Sequence, residues 1–146
     1  MVNPDNVIDV TRLIQLAVAP VFLLTAVGTI IGVLSNRLGR AVDRSRTLED
    51  RLRQLPPEGQ RAVREELNLL SRRVRLVYGS IVLSVLCALF VGLLIAVAFV
   101  DAFIDIDLSK FIGLLFIAAM LAFILALMVF LREIFLAVSS ARSQMR

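Results

Sequence analysis

The side chains that perform most enzyme chemistry are scarce in this 146-residue chain. It has no histidine, and its single cysteine, Cys87, lies in the middle of a long apolar run. A lone thiol in such a place is usually a small packing residue, and the serines have no neighbouring base to activate them. We therefore expect no enzymatic activity, no metal and no cofactor.

Three aspartates, Asp101, Asp105 and Asp107, are the densest group of carboxylates next to the apolar runs. Carboxylates can bind Ca²⁺, or can concentrate cations at the mouth of a symmetric pore. The spacing lacks the glycine turn of a calcium loop, which favours a capping and solvating role. Asp107 or Ser109 can cap the helix that follows. Further along, Glu133 beside Arg132 predicts an ion pair at the membrane interface.

Arginine is the most concentrated charged residue: residues 35–75 contain eleven arginines and six acids. Arg37, Arg40 and Arg44 share one helical face close to an apolar run and could hold anionic lipid headgroups, at about 1 kcal/mol each. The plainer interpretation is a solvated face that sets membrane orientation. We expect no nucleic-acid partner, because acids interleave the arginines and few aromatic residues are there to stack on bases.

The elements that would position these charges are long apolar helices. The chain is 59% hydrophobic with a mean hydropathy of +0.88, and residues 14–34, 76–100 and 111–131 contain no charge. A helix rises about 1.5 Å per residue, so each window can cross a hydrocarbon layer of about 30 Å. The sequence predicts an all-α integral membrane protein with three transmembrane helices. Charge-free spans argue against transport driven by an intramembrane carboxylate.

Charge bias predicts how the chain is oriented. The net charge is −1 over residues 1–13, +5 over 35–75, −2 over 101–110 and +2 over 132–146. Lysine and arginine are enriched in loops that stay in the cytoplasm. The amino terminus and the 101–110 loop are therefore predicted outside, and the 35–75 segment and the carboxyl-terminal tail in the cytoplasm.

The basic segment itself has the periodicity of packed helices. Small or apolar residues recur at alternating steps of three and four, a heptad seam that continues into the first two spans. The seam consists of Leu34, Leu38, Ala41, Ser45, Leu48, Leu52 and Leu55, then Val63, Leu67, Leu70, Val74, Val77 and Ile81. A turn at 55–59 contains Pro56 and Pro57, which cannot continue the first helix. Helices 1 and 2 are thus predicted to extend as a cytoplasmic antiparallel helical hairpin over residues 35–75.

Each span also carries a stripe of small residues, which lets helix backbones approach closely. The sequence leaves open whether the stripes pack within one subunit, pack between subunits or line a pore. Pro20 predicts a kink in the first span. The predicted helix-packing residues are Gly28, Gly32, Ser80, Ser84, Ala88, Gly92, Ala118, Ala122 and Ala126.

Three segments together, IQLAVAPVFLLTAVG, NRLGRAVDRSRTLE and RRVRLVYGSIVL, carry a resemblance. The chain resembles, over nearly its whole length, a bacterial membrane-protein family catalogued as domain of unknown function 2721. The features that carry it are an Ala-Pro in the first span and an Asn-Arg-Leu-x-Arg-x-x-Asp-Arg run, here Ala19, Pro20, Asn36, Arg37, Leu38, Arg40, Asp43 and Arg44. Gly39 stands where alanine is expected. The resemblance implies a bacterial inner (cytoplasmic) membrane and no assigned activity.

Three functions fit these observations. The leading hypothesis is a non-enzymatic membrane protein that works by assembly, as a homo-oligomer or as an accessory or scaffold subunit of a larger membrane complex. The second is an oligomeric ion channel, with Thr25 and Thr29 lining a neutral pore and the three aspartates at its external mouth. The third is a module that senses anionic lipid through Arg37, Arg40 and Arg44.

Overall fold

The protein consists of three α-helices: α1 (Pro4–Gln54), α2 (Gln60–Asp101) and α3 (Ser109–Ser143). The structure is a computed structural model that describes the backbone of residues 4–101 and 107–143 and the side chains of 18–101 and 107–138. No strand occurs in the described backbone. The all-α prediction is confirmed, and all three helices are long and apolar enough to cross a membrane.

Each helix is longer than the apolar window it contains. The most apolar stretches have mean hydropathies of 2.2, 3.0 and 3.1 in chain order. From there α1 continues through the arginine-rich segment to Gln54, because no proline interrupts it between Pro20 and Pro56. Helix α3 similarly continues past the last apolar window to Ser143. Pro20 lies inside α1 with its side chain buried, and a kink there stays a prediction.

The connection between α1 and α2 is short and hydrogen-bonded. The Gly59 amide donates to the Pro56 carbonyl at 3.0 Å. The Gln60 side chain donates to the carbonyl of Leu55 at 3.0 Å, which satisfies an oxygen left without an intrahelical partner at the end of α1. The two prolines therefore end the first helix, and the next helix begins at Gln60, three residues after Pro57.

The connection between α2 and α3 uses two aspartates as local acceptors. Asp101 accepts a hydrogen bond from the Leu108 amide at 2.9 Å, and Asp107 accepts from the Ser109 amide at 3.1 Å and from its hydroxyl. The hydroxyl and amide of Ser109 lower the pKa of Asp107 below its ordinary value. Asp105 lies outside the described residues. Asp107 thus stands where a helix cap is needed.

The chain divides into two compact units. The first comprises Met1–Ile30 and Ser84–Ile124. Small residues of α2 and α3 pack in its interior together with larger aliphatic side chains. Its buried residues include Val27, Ser84, Cys87, Val91, Leu94, Leu115, Ala119 and Ala122.

The second unit comprises Ile31–Leu83 and Leu125–Arg146. Its buried residues include Leu34, Leu48, Leu70, Val77, Ser80, Ala126 and Glu133. Four of these lie on the heptad seam that the sequence contains. The remaining seam positions are half-buried except Leu55, which is 36% exposed. An ion pair between Arg44 and Glu66, 2.8 Å long, links α1 to α2 beside the seam.

Large apolar side chains cover much of the outer surface of all three helices. Phe22 of α1, Leu89 of α2 and Leu114 of α3 are each more than 60% exposed, and many others resemble them. Exposed apolar surface on this scale is unfavourable in water but favourable against lipid chains. The exposed apolar side chains of all three helices therefore agree with the hydropathy of the sequence, because lipid chains can cover them.

Candidate functional site

The least expected feature of the second unit is a carboxylate in its interior. Glu133 lies on α3, two residues after the last apolar window, and is only 1% exposed. It is among the largest fully buried side chains of the described part of the chain. Removing an ionised carboxylate from water is costly unless cations and hydrogen-bond donors surround it. The other two helices supply those groups.

Arg73 of α2 makes the closer contact with Glu133. Its Nε and Nη2 atoms lie 3.3 Å and 3.1 Å from the same oxygen, Oε1, and both donate hydrogen bonds to it. Two nitrogens of the rigid guanidinium plane thus share one acceptor. This contact restricts the rotation of both side chains and fixes α2 relative to α3 within the second unit.

Arg37 of α1 approaches the second oxygen. Its Nη2 lies 3.2 Å from Oε2 of Glu133 without hydrogen-bond geometry, so Oε2 accepts no hydrogen bond from the described residues. The Arg37 guanidinium also lies over the ring of Phe130, with Cζ 5.3 Å from the ring centre. An arginine over an aromatic face gains a further electrostatic attraction. Arg37 therefore contributes charge and stacking, whereas Arg73 contributes directed hydrogen bonds.

The role of this group is structural, because it holds helices together through ion pairs. Two guanidinium groups and one carboxylate carry a net charge of +1, and together they join all three helices of the second unit. The arginine side chains are 25% and 28% exposed, whereas the carboxylate between them is enclosed. Among the described residues no group of three potential ligands is placed to hold a metal ion.

The three arginines predicted to hold lipid headgroups have different surroundings. Arg37 pairs with Glu133, and Arg44 pairs with Glu66, whereas Arg40 is exposed and has no carboxylate partner among the described side chains. Together with Arg73 they line an open groove of about 270 Å³. Two of its four positive charges are balanced internally, and headgroup contact stays a prediction.

The small-residue stripes also differ from helix to helix. On α2 and α3, Ser80, Ser84, Ala122 and Ala126 are buried, and the Ser80 hydroxyl donates to the carbonyl of Ala126 at 2.7 Å. Ala88 and Ala118 are half-buried, and Gly92 is exposed. On α1 both predicted packing residues, Gly28 and Gly32, are exposed. Packing inside the chain thus uses the stripes of α2 and α3 but not that of α1.

The threonines proposed to line a pore lie on the exposed side of α1. The hydroxyl of Thr25 donates to the carbonyl of Val21 at 3.2 Å, and that of Thr29 donates to the carbonyl of Thr25 at 3.0 Å. Their donor capacity is therefore used within the helix, which leaves a smooth surface of methyl groups and glycines. Such a surface suits close contact between helices.

The first unit contains an apolar cavity of about 380 Å³ beside Asp101, the last residue of α2. Pro20 of α1, Ile95 and Asp101 of α2 and Phe116 of α3 are among its lining residues. Asp101 is the acidic group on this wall, and its Oδ1 atom accepts a hydrogen bond from Leu108. A cation-attracting role for Asp101, Asp105 and Asp107 stays a prediction.

Sequence reasoning missed the role of Glu133. Glu133 lies two positions beyond the last charge-free window, where the sequence predicts an ion pair with Arg132. In the described structure its carboxylate instead pairs with Arg37 and Arg73. A signal was present. Leu115, Ala119, Ala122 and Ala126 follow one another at steps of four, three and four, and Glu133 comes seven residues later on the same helical face.

Comparison with known proteins agrees with the sequence resemblance. No curated protein and no solved structure matches the chain. A family described as "Protein of unknown function (DUF2721)" matches residues 17–143. This range includes all but the first three residues of the first apolar window, both other windows, the arginine-rich segment and the Glu133 cluster. The chain therefore belongs to the DUF2721 family.

Proposed function

We propose that this protein is a non-enzymatic, multi-pass protein of the bacterial inner membrane that acts through assembly, as a homo-oligomer or as an accessory subunit of a membrane complex. The observation that supports it best is the exposed small-residue face of α1. Thr25, Gly28, Gly32, Ser35 and Gly39 recur at steps of three and four and are all exposed.

The small residues of this face of α1 are exposed, whereas several small residues of the other two helices are buried. Ser80 and Ser84 of α2 and Ala122 and Ala126 of α3 are used inside the chain. A face of small residues offers lipid few contacts, but it lets another helix approach until backbone atoms touch. In a membrane, where apolar surface is not repelled by its solvent, this packing is a main source of attraction between helices. A second copy of α1 is a suitable occupant.

Replacing Gly28 and Gly32 together by leucine is expected to convert the oligomer to monomer. A Cβ atom added at either glycine meets nothing within 4 Å, so the fold of one subunit tolerates the change. Bulky side chains would instead hold two α1 helices apart. The measurement is mass by light scattering of the full chain in detergent, with crosslinking in native membranes.

The matched control is Gly113→Leu on α3, another exposed glycine with nothing within 4 Å of an added Cβ. It should leave the mass unchanged. A monomeric wild type that also captures no partner in native membranes would refute assembly. An oligomer insensitive to both leucines would refute the α1 interface.

We further propose that residues 35–75 form an antiparallel helical hairpin in the cytoplasm. The net charge of +5 over this segment supports the side of the membrane. The Arg44–Glu66 ion pair and the burial of Leu48 and Leu70 support the pairing of its two arms. On this orientation the 101–110 connection is external and the tail from Arg132 onward is cytoplasmic.

Cysteine labelling in intact cells tests this orientation. With Cys87 replaced by alanine, a single cysteine at position 57 is expected to resist a membrane-impermeant maleimide until the cells are opened. A single cysteine at position 110 is expected to react at once, because the predicted loop is external. Both positions lie in exposed connecting or helix-end segments, so burial does not explain a difference. Labelling at position 57 from outside would overturn the proposed orientation.

A further inference from the structure

A second basic cleft lies in the second unit, between α2 and α3. Its volume is about 320 Å³, and it is lined by Arg72, Arg75 and Leu76 of α2 and by Arg132 and Leu136 of α3. Sites that hold small molecules have volumes of about 300–1,000 Å³, so this cleft matches a headgroup rather than a whole lipid. On each helix the lining residues are three or four positions apart, for example Arg72 and Arg75 on α2 and Arg132 and Leu136 on α3. Residues with this spacing lie on the same face of a helix, so both helices present their lining residues to the cleft.

The arginines of this cleft differ from Arg37 and Arg73 in having no carboxylate within ion-pair distance among the described side chains. Arg72, Arg75 and Arg132 are all exposed, and none pairs with a carboxylate among the side chains that the structure describes. Three like charges in one cleft repel one another, and an anion bound between them would offset this repulsion. The cleft therefore has an unbalanced charge of +3, whereas the groove around Arg37 is partly neutralised.

The position of the cleft along the helices indicates where that anion comes from. Arg75 is the last charged residue before the 76–100 apolar window, and Arg132 is the first after the 111–131 window. The charged residue at the edge of each apolar window, Arg75 on α2 and Arg132 on α3, therefore lines the same cleft. Tyr78, one turn further along α2, is 61% exposed, and tyrosine favours the level of lipid headgroups.

The apolar side chains of the cleft suit the part of a lipid next to its phosphate. Leu76 and Leu136 are half-buried and give the cleft an apolar side next to its basic side. A soluble phosphate would use only the arginines, whereas a lipid phosphate presents a charged group and a glycerol with attached acyl chains. Arginine binds phosphate oxygens through two parallel hydrogen bonds. The three unbalanced positive charges favour a lipid with a net negative charge over a zwitterionic lipid, whose headgroup carries its own cation.

We propose that Arg72, Arg75 and Arg132 bind the phosphate of an anionic membrane lipid in the cleft between α2 and α3. Basic pockets between transmembrane helices at the cytoplasmic side are suited to such headgroups. This site is separate from the Arg37, Arg40 and Arg44 face. It also requires no oligomer, so it stands independently of the assembly proposed above.

The test is native mass spectrometry of the full chain in detergent, titrated with phosphatidylglycerol, phosphatidylcholine or inorganic phosphate. The wild type is expected to retain phosphatidylglycerol in preference to phosphatidylcholine. Each basic residue at such a surface changes affinity about five-fold, so Arg72→Gln with Arg132→Gln should weaken phosphatidylglycerol binding about twenty-five-fold. Arg132→Lys should weaken it less, because the charge remains and only the paired hydrogen bonds are lost.

The matched control is Arg51→Gln with Arg53→Gln, which removes the same charge from exposed positions at the end of α1. It should leave binding unchanged. Equal loss in the two double variants would mean that net charge alone attracts the lipid and would overturn the site. Equal retention of phosphatidylglycerol and phosphatidylcholine would also overturn it. Inorganic phosphate that displaces the lipid at similar concentration would assign the cleft to a soluble anion instead.

Discussion

Replacing Glu133 by leucine is expected to lower the free energy of unfolding by about 3–5 kcal/mol, the usual result of removing one partner from a buried ion pair. The reason is that two partly buried arginines would remain without their carboxylate partner. Arg37 and Arg73, whose side chains are only 25% and 28% exposed, would face each other across an apolar gap with no anion between them. Thermal and denaturant unfolding of the detergent-extracted protein, followed by circular dichroism, measures the change.

The geometry also ranks the two arginines. Arg73 donates two hydrogen bonds to Oε1, whereas Arg37 contacts Oε2 without hydrogen-bond geometry. Arg73→Lys is therefore expected to destabilise more than Arg37→Lys, because lysine keeps the charge but cannot reproduce the two-nitrogen contact. If the two variants lost the same stability, the directed hydrogen bonds of Arg73 would contribute nothing beyond its charge.

Two further variants separate the network from a general effect of charge. Glu65→Leu removes an exposed carboxylate whose partner, Arg61, is four residues away, and such pairs contribute about 0–1 kcal/mol. Replacing Glu133, Arg37 and Arg73 together by apolar residues should restore much of the stability lost in Glu133→Leu, because no buried charge is left unpaired. Equal effects of Glu65→Leu and Glu133→Leu would contradict the buried network.

The helices can be predicted from the sequence because the features that determine them lie in neighbouring residues of the chain. Charge-free windows, the absence of proline between Pro20 and Pro56, and the prolines of the turn are all properties of neighbouring residues. The Glu133 cluster has a different origin. Its partner Arg73 is 60 positions away, and nothing in either segment identifies the other. Pairing across helices depends on their rotation and register, which three-dimensional packing determines.

The small-residue stripes illustrate the same limit. Gly28–Gly32 and Ser80–Ser84 are indistinguishable as motifs, each with two small residues four apart. In the structure one pair is exposed and the other is fully buried. Periodicity identifies a face suited to close packing but not the neighbour that covers it. The buried stripe already has a structural role within the chain, whereas the exposed stripe is left for contact with a partner helix or lipid.

The second large effect is expected from Leu48, on the seam of α1. Leu48 is 2% exposed, and Leu48→Ala should lower the free energy of unfolding of the second unit by about 2–5 kcal/mol, the range for a buried leucine that leaves a cavity. Leu48 lies beyond the apolar window, so the alternative to its burial is contact with water rather than with lipid, and the full hydrophobic effect favours burial. Hydrogen exchange of the full chain in detergent locates the loss.

Leu55 supplies the control, because it has the same side chain, belongs to the same seam and lies seven residues further along. It is 36% exposed, so Leu55→Ala removes less buried surface and leaves no closed cavity. We expect faster exchange on both arms, residues 35–54 and 60–75, in Leu48→Ala and little change in Leu55→Ala. Exchange that accelerated only on α1 would mean that Leu48 does not hold the two arms together. The pairing of the arms would then have to rest on Leu70, the half-buried seam residues and the Arg44–Glu66 pair. An exposed ion pair contributes about 0–1 kcal/mol, too little to order two arms of this length in water.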